Sequence, residues 1–496
     1  MFRRYRPELL SLVAGASMPL AFAPLNLFFI AIAAPAILFM LWRDATPLRA
    51  ARLGLLFGLG MFGVGVSWVY VTMHVFGRMA PWLAIVATAM FVSVFALFPA
   101  ILGYGQARLK QFPISLRYLA AIPVLWVLLE WVRAWILTGF PWLNLGYSQI
   151  STPLKYYAPW LGVFGVSYFA VLSAGIIAWA GCAWDRKTLL RATVQLGAIW
   201  ILPLLLSQIH WVTPVDGPLR IALVQGNVPI QDKWRPEYRD NILNKYLNMS
   251  QQARDADAII WPEGSIPTYL QYLDPVYLGV LQQEADKYAT DFLFGSIELD
   301  SGRNGVYYNS AVVVGKKPGI YRKVHLVPFG EYPPLDPLFR WLMQSMHIPM
   351  ANFTAGPDGQ KLLSLAGQPI ATSICYENVF GEELIRMLPQ ATLLVNISEN
   401  AWYGNSLAAY QLVQMAQMRS LEFGRPAVRA DNAGPSVAID YLGHVQRATR
   451  PFEARVLMTS IQPMSGATPY VLAGNYPILF WLLLNLSLLY WYRRRR

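Results

Sequence analysis

Long apolar runs alternate with short polar connections over the first two-fifths of the chain, and a single extended polar block follows. A helix crossing a bilayer core of about 30 Å needs roughly 20 apolar residues, and candidate runs lie at 8–24, 26–42, 53–74, 80–103, 118–137, 158–183, 193–211 and 473–492. The first two are short and are divided only at Pro24 to Asn26. Between the seventh run and the eighth the period changes: short β-rich stretches alternate with amphipathic ones, which predicts an α/β domain. Strands are expected at Leu219 to Val224, Ala258 to Trp261, Phe292 to Ile297, Ser310 to Val314, Ile370 to Cys375, Thr392 to Ile397 and Ser436 to Ile439. Helices are expected at Glu237 to Arg254, Pro275 to Tyr288 and Leu407 to Phe423. The predicted organisation is a seven-helix membrane domain over 1–212, a polar domain over 216–466, an eighth membrane helix over 473–492 and a basic tail over 493–496. No internal repeat or low-complexity linker separates the parts.

Composition supports the membrane assignment, since 55% of residues are hydrophobic, 14% are charged and the mean hydropathy is +0.36. The net charge of +12 is explained by where the basic residues fall. The clusters Arg3, Arg4 and Arg6; Arg43, Arg49 and Arg52; Arg108, Lys110 and Arg117; Arg186, Lys187 and Arg191; and Arg493 to Arg496 all lie on one side of a seven-plus-one arrangement. The opposite connections carry only Arg78 and Lys155. Basic loops stay cytoplasmic, so both termini are expected inside and the polar block outside. No separate basic patch remains for nucleic acid. A basic residue cluster followed by an apolar run also suggests a signal peptide, but further spans follow at once and favour an anchor.

Cys182 and Cys375 are the two cysteines, one in an apolar span and one in the polar block, so they do not make a disulfide framework. An unpaired thiol in an oxidising compartment suggests chemistry, with a buried inert cysteine as the alternative. Glu263 follows Ala-Ile-Ile-Trp-Pro, Lys323 lies in Tyr-Arg-Lys-Val-His-Leu, and Cys375 closes Ile-Ala-Thr-Ser-Ile-Cys, each at or just beyond a predicted strand end. A carboxylate can take the thiol proton, a cation can stabilise thiolate and oxyanion, and sulfur can carry an acyl group. Taken singly, a surface carboxylate, a surface lysine and a strand-end cysteine are ordinary. The five histidines, His74, His210, His325, His347 and His444, have no metal-ligand spacing, and no phosphate-cradling glycine loop is present, so no cofactor is expected. Glu130 and Arg133 are three residues apart on the fifth span, where charges are costly unless paired; a functional pair and a packing salt bridge are both open.

The motifs Trp261-Pro262-Glu263, Lys323-Val324-His325-Leu326-Val327-Pro328-Phe329-Gly330-Glu331-Tyr332 and Ile374-Cys375-Tyr376-Glu377 resemble the nitrilase superfamily, and its membrane branch, the apolipoprotein N-acyltransferases, above all. Gly139 to Gln149 before the sixth span and Leu421 to Pro426 support the likeness, which covers nearly the whole chain. The resemblance implies an αββα sandwich joined to a multi-pass helical bundle in a bacterial inner membrane, with the catalytic domain periplasmic. It implies an acyl chain taken from a phospholipid by Cys375 and passed to the amino group of a diacylglyceryl-modified N-terminal cysteine on apolipoproteins, with Glu263 as base and Lys323 on the oxyanion. It also implies supporting places for Glu331 beside the lysine, for Tyr376 and Glu377, and for Trp234 near a lipid entrance; a strand-end ion pair for Glu377 and an interfacial aromatic for Trp234 are the plainer alternatives. His325 is read as structural.

The chain departs from the family pattern at Glu399-Asn400, where the family has Asn-Asp before Ala-Trp-Phe-Gly, at Pro435, and at Gly264-Ser265. A one-residue shift of the acid puts its usual contact in doubt. The connector Gly330 to Thr354, with Pro333, Pro334, Trp341 and Met343, has the content to dip into a bilayer. Two other functions fit parts of the pattern: a membrane-anchored nitrilase-type amidase, and a non-catalytic lipid-binding protein or transporter.

Overall fold

The computed structural model describes residues 6–303, 305–334 and 352–495. The expected positions Trp341 and Met343 of the Gly330–Thr354 connector lie outside them. The chain divides into two units: Met1–His74, Ala80–His210 and Leu472–Arg496 form one, Val75–Met79 and Trp211–Val471 the other.

The first unit is helical. Among the described residues, Pro47–Gly65, Pro81–Ala107, Ile114–Arg133, Pro153–Ala183 and Arg186–Leu206 are long and apolar enough to cross a membrane. The expected first two spans are instead the twelve-residue helices Arg6–Ser17 and Ile30–Leu41. At 1.5 Å per residue each reaches only about 18 Å. Pro19 and a 3₁₀ turn over Met18–Ala21 end the first of them. The last helix, Tyr476–Arg494, has the length, but its last turn carries Arg493 and Arg494. Small residues let these helices touch: a Cβ on Gly54 would lie 2.1 Å from the Pro99 carbonyl oxygen on the facing helix.

The second unit is a four-layer αββα sandwich. Its strands are β1 (Val212–Pro214), β2 (Leu219–Gln225), β3 (Ala258–Ile260), β4 (Asp291–Leu299), β5 (Tyr307–Val314), β6 (Gly319–Arg322), β7 (Leu363–Leu365), β8 (Gln368–Ile374), β9 (Leu393–Ser398), β10 (Ala427–Asp431), β11 (Val437–Ile439), β12 (Val445–Ala448), β13 (Arg455–Ile461) and β14 (Met464–Gly466). One six-stranded sheet runs β13-β2-β3-β4-β5-β6 and the other β12-β11-β10-β9-β8-β7. The central pairs β2–β3, β3–β4, β8–β9 and β9–β10 are parallel. Strands covered on both faces read as continuous apolar runs, and the period of two sorts them. Ile221, Leu223, Ile260, Leu293, Val313, Ile374, Val395 and Val428 fill the space between the sheets, together with Cys375. Ala222, Val224, Ile259 and Phe292 face out, sharing a cluster with Ile242 and Tyr246 of helix Arg239–Ser250 and Leu281 of helix Pro275–Tyr288. On the other side Ala371, Leu394 and Val437 pack with Ala416 and Phe423 of helix Leu407–Phe423.

Gly54→Val would force the Pro47–Gly65 and Pro81–Ala107 helices apart, an overpacking cost of about 1–3 kcal/mol. The expected outcome is a lower melting temperature of the detergent-solubilised protein, with Gly197→Val, whose Cβ meets nothing within 4 Å, as the neutral control.

Candidate active site

Three strand ends of the sandwich bring the expected residues together. Glu263 follows β3, Lys323 follows β6 and Cys375 follows β8. Cys375 is buried and has φ +53°, a left-handed conformation that a non-glycine residue rarely adopts, at the turn into a 3₁₀ segment Cys375–Val379.

Lys323 is 1% exposed. Its main-chain N–H donates to the Asn309 carbonyl at 2.8 Å, and its ammonium lies 2.9 Å from Glu331 and 3.8 Å from Glu263. Burial alone would lower the lysine, but Glu331 and Glu263 outweigh it and hold the ammonium charged well above its ordinary range. The Asn309 amide ties the two carboxylates, donating to Glu263 Oε1 at 2.7 Å and to Glu331 Oε1 at 2.9 Å. Burial pushes Glu263 up, Lys323 pulls it back, Glu331 pushes it up again, and the Asn309 bond favours its ionised form; the net direction is up. Burial and the Glu263 charge raise the Cys375 thiol, against Lys323 and Arg429. The resting pair is therefore a neutral thiol beside a carboxylate of raised basicity, suited to proton transfer during attack rather than before it.

The supporting residues separate by role. Glu331 contacts the lysine directly, and its second oxygen accepts the Val327 N–H at 2.7 Å. Among the described residues Glu377 makes no arginine pair of the kind the plainer alternative required. It accepts the N–H groups of Ile374 (2.7 Å), Val324 (2.6 Å) and His325 (3.1 Å) and the Tyr321 hydroxyl (3.1 Å). Burial pushes it up to about 7 against the downward pull of Lys323 and those N–H donors. Tyr376 is buried, its ring 4.9 Å from Phe380. His325 stacks on Phe380 at 3.8 Å and meets Glu383 at 2.6 Å through Nδ1, a packing position. Trp234 is 46% exposed, and its ring borders Gly264, the residue after Glu263.

Glu130 and Arg133 belong to the helical unit and not to this site. No ion pair joins them among the described residues. Glu130 Oε1 accepts from Trp126 Nε1 at 3.0 Å and the Leu145 N–H at 2.9 Å; Arg133 donates to the Phe140 and Trp142 carbonyls and to Asn144. The packing salt bridge is thus replaced by two charges bracing the Gly139–Gln149 connection. Both also line an apolar cleft with Met61, Phe98 and Trp126.

The sequence reading missed Asn309, although the signal was present: it shares the inward face of β5 with Ala311 and Val313, and a polar residue there needs a partner. Arg429 and Tyr403 were missed too. Arg429, on β10, donates to Asn396 at 2.8 Å, and the Asn396 amide reaches the Cys375 carbonyl at 3.4 Å. Burial, with the charges of Cys375 and Glu263, raises the Tyr403 hydroxyl well above its usual range. Among the described residues no cluster of His, Cys, Asp or Glu is placed to hold a metal ion.

Residues 14–176 match the model of the apolipoprotein N-acyltransferase N-terminal domain, and residues 220–470 match carbon-nitrogen hydrolase. A protein of Methylococcus capsulatus named apolipoprotein N-acyltransferase is 41% identical over 471 residues, covering 95% of this chain and 93% of its own. This chain belongs to the apolipoprotein N-acyltransferase family. Relatives of the same name from Nitrosomonas europaea (42% over 464 residues, 93% of this chain and 92% of theirs) and Vibrio parahaemolyticus (35% over 508 residues, 100% and 99%) span it similarly. The family is one of acyl-transferring enzymes on a nitrilase-type domain, and the non-catalytic alternatives fall away.

Two outcomes are expected of the site itself. Asn309→Ala removes a bond that favours ionised Glu263, so the carboxyl is raised further and the acid limb of the rate–pH profile moves to higher pH, leaving the alkaline side in place; initial rates across pH measure it. Glu377→Gln leaves N–H donors without their full acceptor and costs about 1–3 kcal/mol per lost partner, read as a fall in melting temperature.

Proposed function

We propose that the protein transfers an acyl chain from a membrane phospholipid, through a thioester on Cys375, to the α-amino group of a diacylglyceryl-modified N-terminal cysteine on apolipoproteins. The observation that carries this reading is the charged, fully buried Lys323 between Glu263 and Glu331 at the strand ends that also present Cys375. In the first half-reaction Glu263 takes the Cys375 proton as sulfur attacks the ester carbonyl. The oxyanion is met by the Lys323 ammonium and the N–H that follows Cys375. Collapse expels the lysophospholipid oxygen, which receives the proton from Glu263. In the second, Glu263 accepts a proton as the lipoprotein amine attacks the thioester, and returns it to the departing thiolate. Ester to thioester to amide needs no ATP and no cofactor.

Trp234, half exposed beside Gly264, fits the edge of the lipid entrance. The distribution of lysine and arginine favours cytoplasmic termini and a periplasmic catalytic domain in a bacterial inner membrane, with the domain limits 1–212, 216–466 and 473–492. Water in place of the amine would make the same site an amidase or esterase.

Intact-mass measurement of the purified protein after incubation with phospholipid tests the reading. The expected result is one stable added acyl mass on the wild type, none on Cys375→Ala, and discharge of that mass on adding a diacylated lipopeptide. Loss of the acyl group to water as fast as it forms would instead assign a hydrolase.

A further inference from the structure

Beside the three reacting residues lies an ion pair that the mechanism does not use. Lys233, the last residue of the short helix Ile230–Lys233, is 2% exposed, and Glu399, just after β9, is 4% exposed. Their side chains pair directly. The Lys233 ammonium also donates to the main-chain carbonyl oxygen of Glu263 at 2.9 Å. Glu399 is held in turn by the Asn432 amide, at 2.9 Å and 3.2 Å to its two oxygens, and Asn432 is fixed to both the N–H and the C=O of Val228 (2.9 and 2.8 Å).

Stability alone is a weak reason for such a pair, because a buried salt bridge is commonly no better than an apolar replacement of the same volume. Its geometry supplies another reason. The Glu263 backbone is confined on two sides: a Cβ on Gly295 would lie 2.6 Å from Glu263 Cα, and Gly264 has φ +58°, with Lys233 Nζ only 3.3 Å from where its Cβ would be. The lysine thus closes on a backbone whose next residue is glycine, and takes the one carbonyl that reports the position of the catalytic carboxylate.

We propose that Lys233 and Glu399 are a positioning pair that fixes the main chain at Glu263, and through it the direction of the Glu263 carboxylate toward Cys375. This rests on Glu263 being the base of the reaction. The acid one position early in Glu399-Asn400 then has an assignment: it is the ion-pair partner that holds the Lys233 side chain against the Glu263 carbonyl. Asn400, whose side-chain amide has no hydrogen-bond partner among the described residues, takes no part in it.

The groups facing Glu263 are Lys323, Glu331, Asn309 and Lys233, with the Cys375 thiol and the Tyr403 hydroxyl. Removing Lys233 takes away a charge that favours ionised Glu263, so a positioning loss carries a pH signature that a general loss of fold does not. The test compares wild type, Glu399→Gln, the double variant Lys233→Met with Glu399→Gln, and Glu263→Gln, all as full-length detergent-solubilised protein. The readouts are melting temperature and the rate at which phospholipid acylates Cys375 across pH. Glu399→Gln leaves the Lys233 ammonium buried without its counter-charge and should lose both melting temperature and rate, which separates the cost of an unpaired charge from the cost of lost positioning. The double variant, free of any unpaired buried charge, should melt near the wild type yet acylate about ten- to a hundredfold more slowly, the loss expected of a small misplacement, with its acid limb at higher pH. A double variant with the wild-type rate and profile, or with a rate loss matched by unfolding and an unmoved acid limb, overturns the proposal. A fully active Glu263→Gln overturns it by a separate route, by removing the base on which it depends.

Discussion

The ammonium of Lys323 has been taken out of water, and an isolated charge in that position would give up its proton. The carboxylates of Glu331 and Glu263 keep it charged, and much of the surrounding architecture serves to hold those carboxylates without neutralising them. Asn309 binds both, its position on β5 fixed by the sheet, and the same residue's carbonyl anchors the lysine main chain. The result is a buried cluster of one ammonium and two acidic side chains beside a thiol that burial and the Glu263 charge raise.

The helical unit obeys the same rule with different partners. Glu130 and Arg133 sit where charge is costly, yet each finds backbone groups of the Gly139–Gln149 connection, so the cost is met by ordering a loop. Close helix approach through Gly54 completes the picture of a bundle held by small-residue contact and polar bracing, since lipid gives no hydrophobic drive between helices.

An α/β domain, the helical bundle and the strand-end places of Glu263 and Cys375 were legible because continuous apolar runs survive in sequence, while the αββα class followed from the motif resemblance. β10 was not, since Arg429 and Asp431 make it read as polar, and only the fold brings them into a buried pair. β6, four residues long, and β13, an edge strand, carry too little apolar pattern to stand out. The interruption of the first apolar run was not legible, since Pro19 and a tight turn cut a run that composition alone leaves whole. Glu399 was visible only as an irregularity, because its partner Lys233 is 166 residues away and no local pattern joins them.

Glu377 has a mechanical meaning. One carboxylate grips Ile374, the residue before Cys375, and Val324 and His325, the two residues after Lys323, and so rivets the ends of β8 and β6 together across the sandwich. Sulfur and ammonium then travel as one rigid part. Any displacement of one strand end is thereby shared by the other.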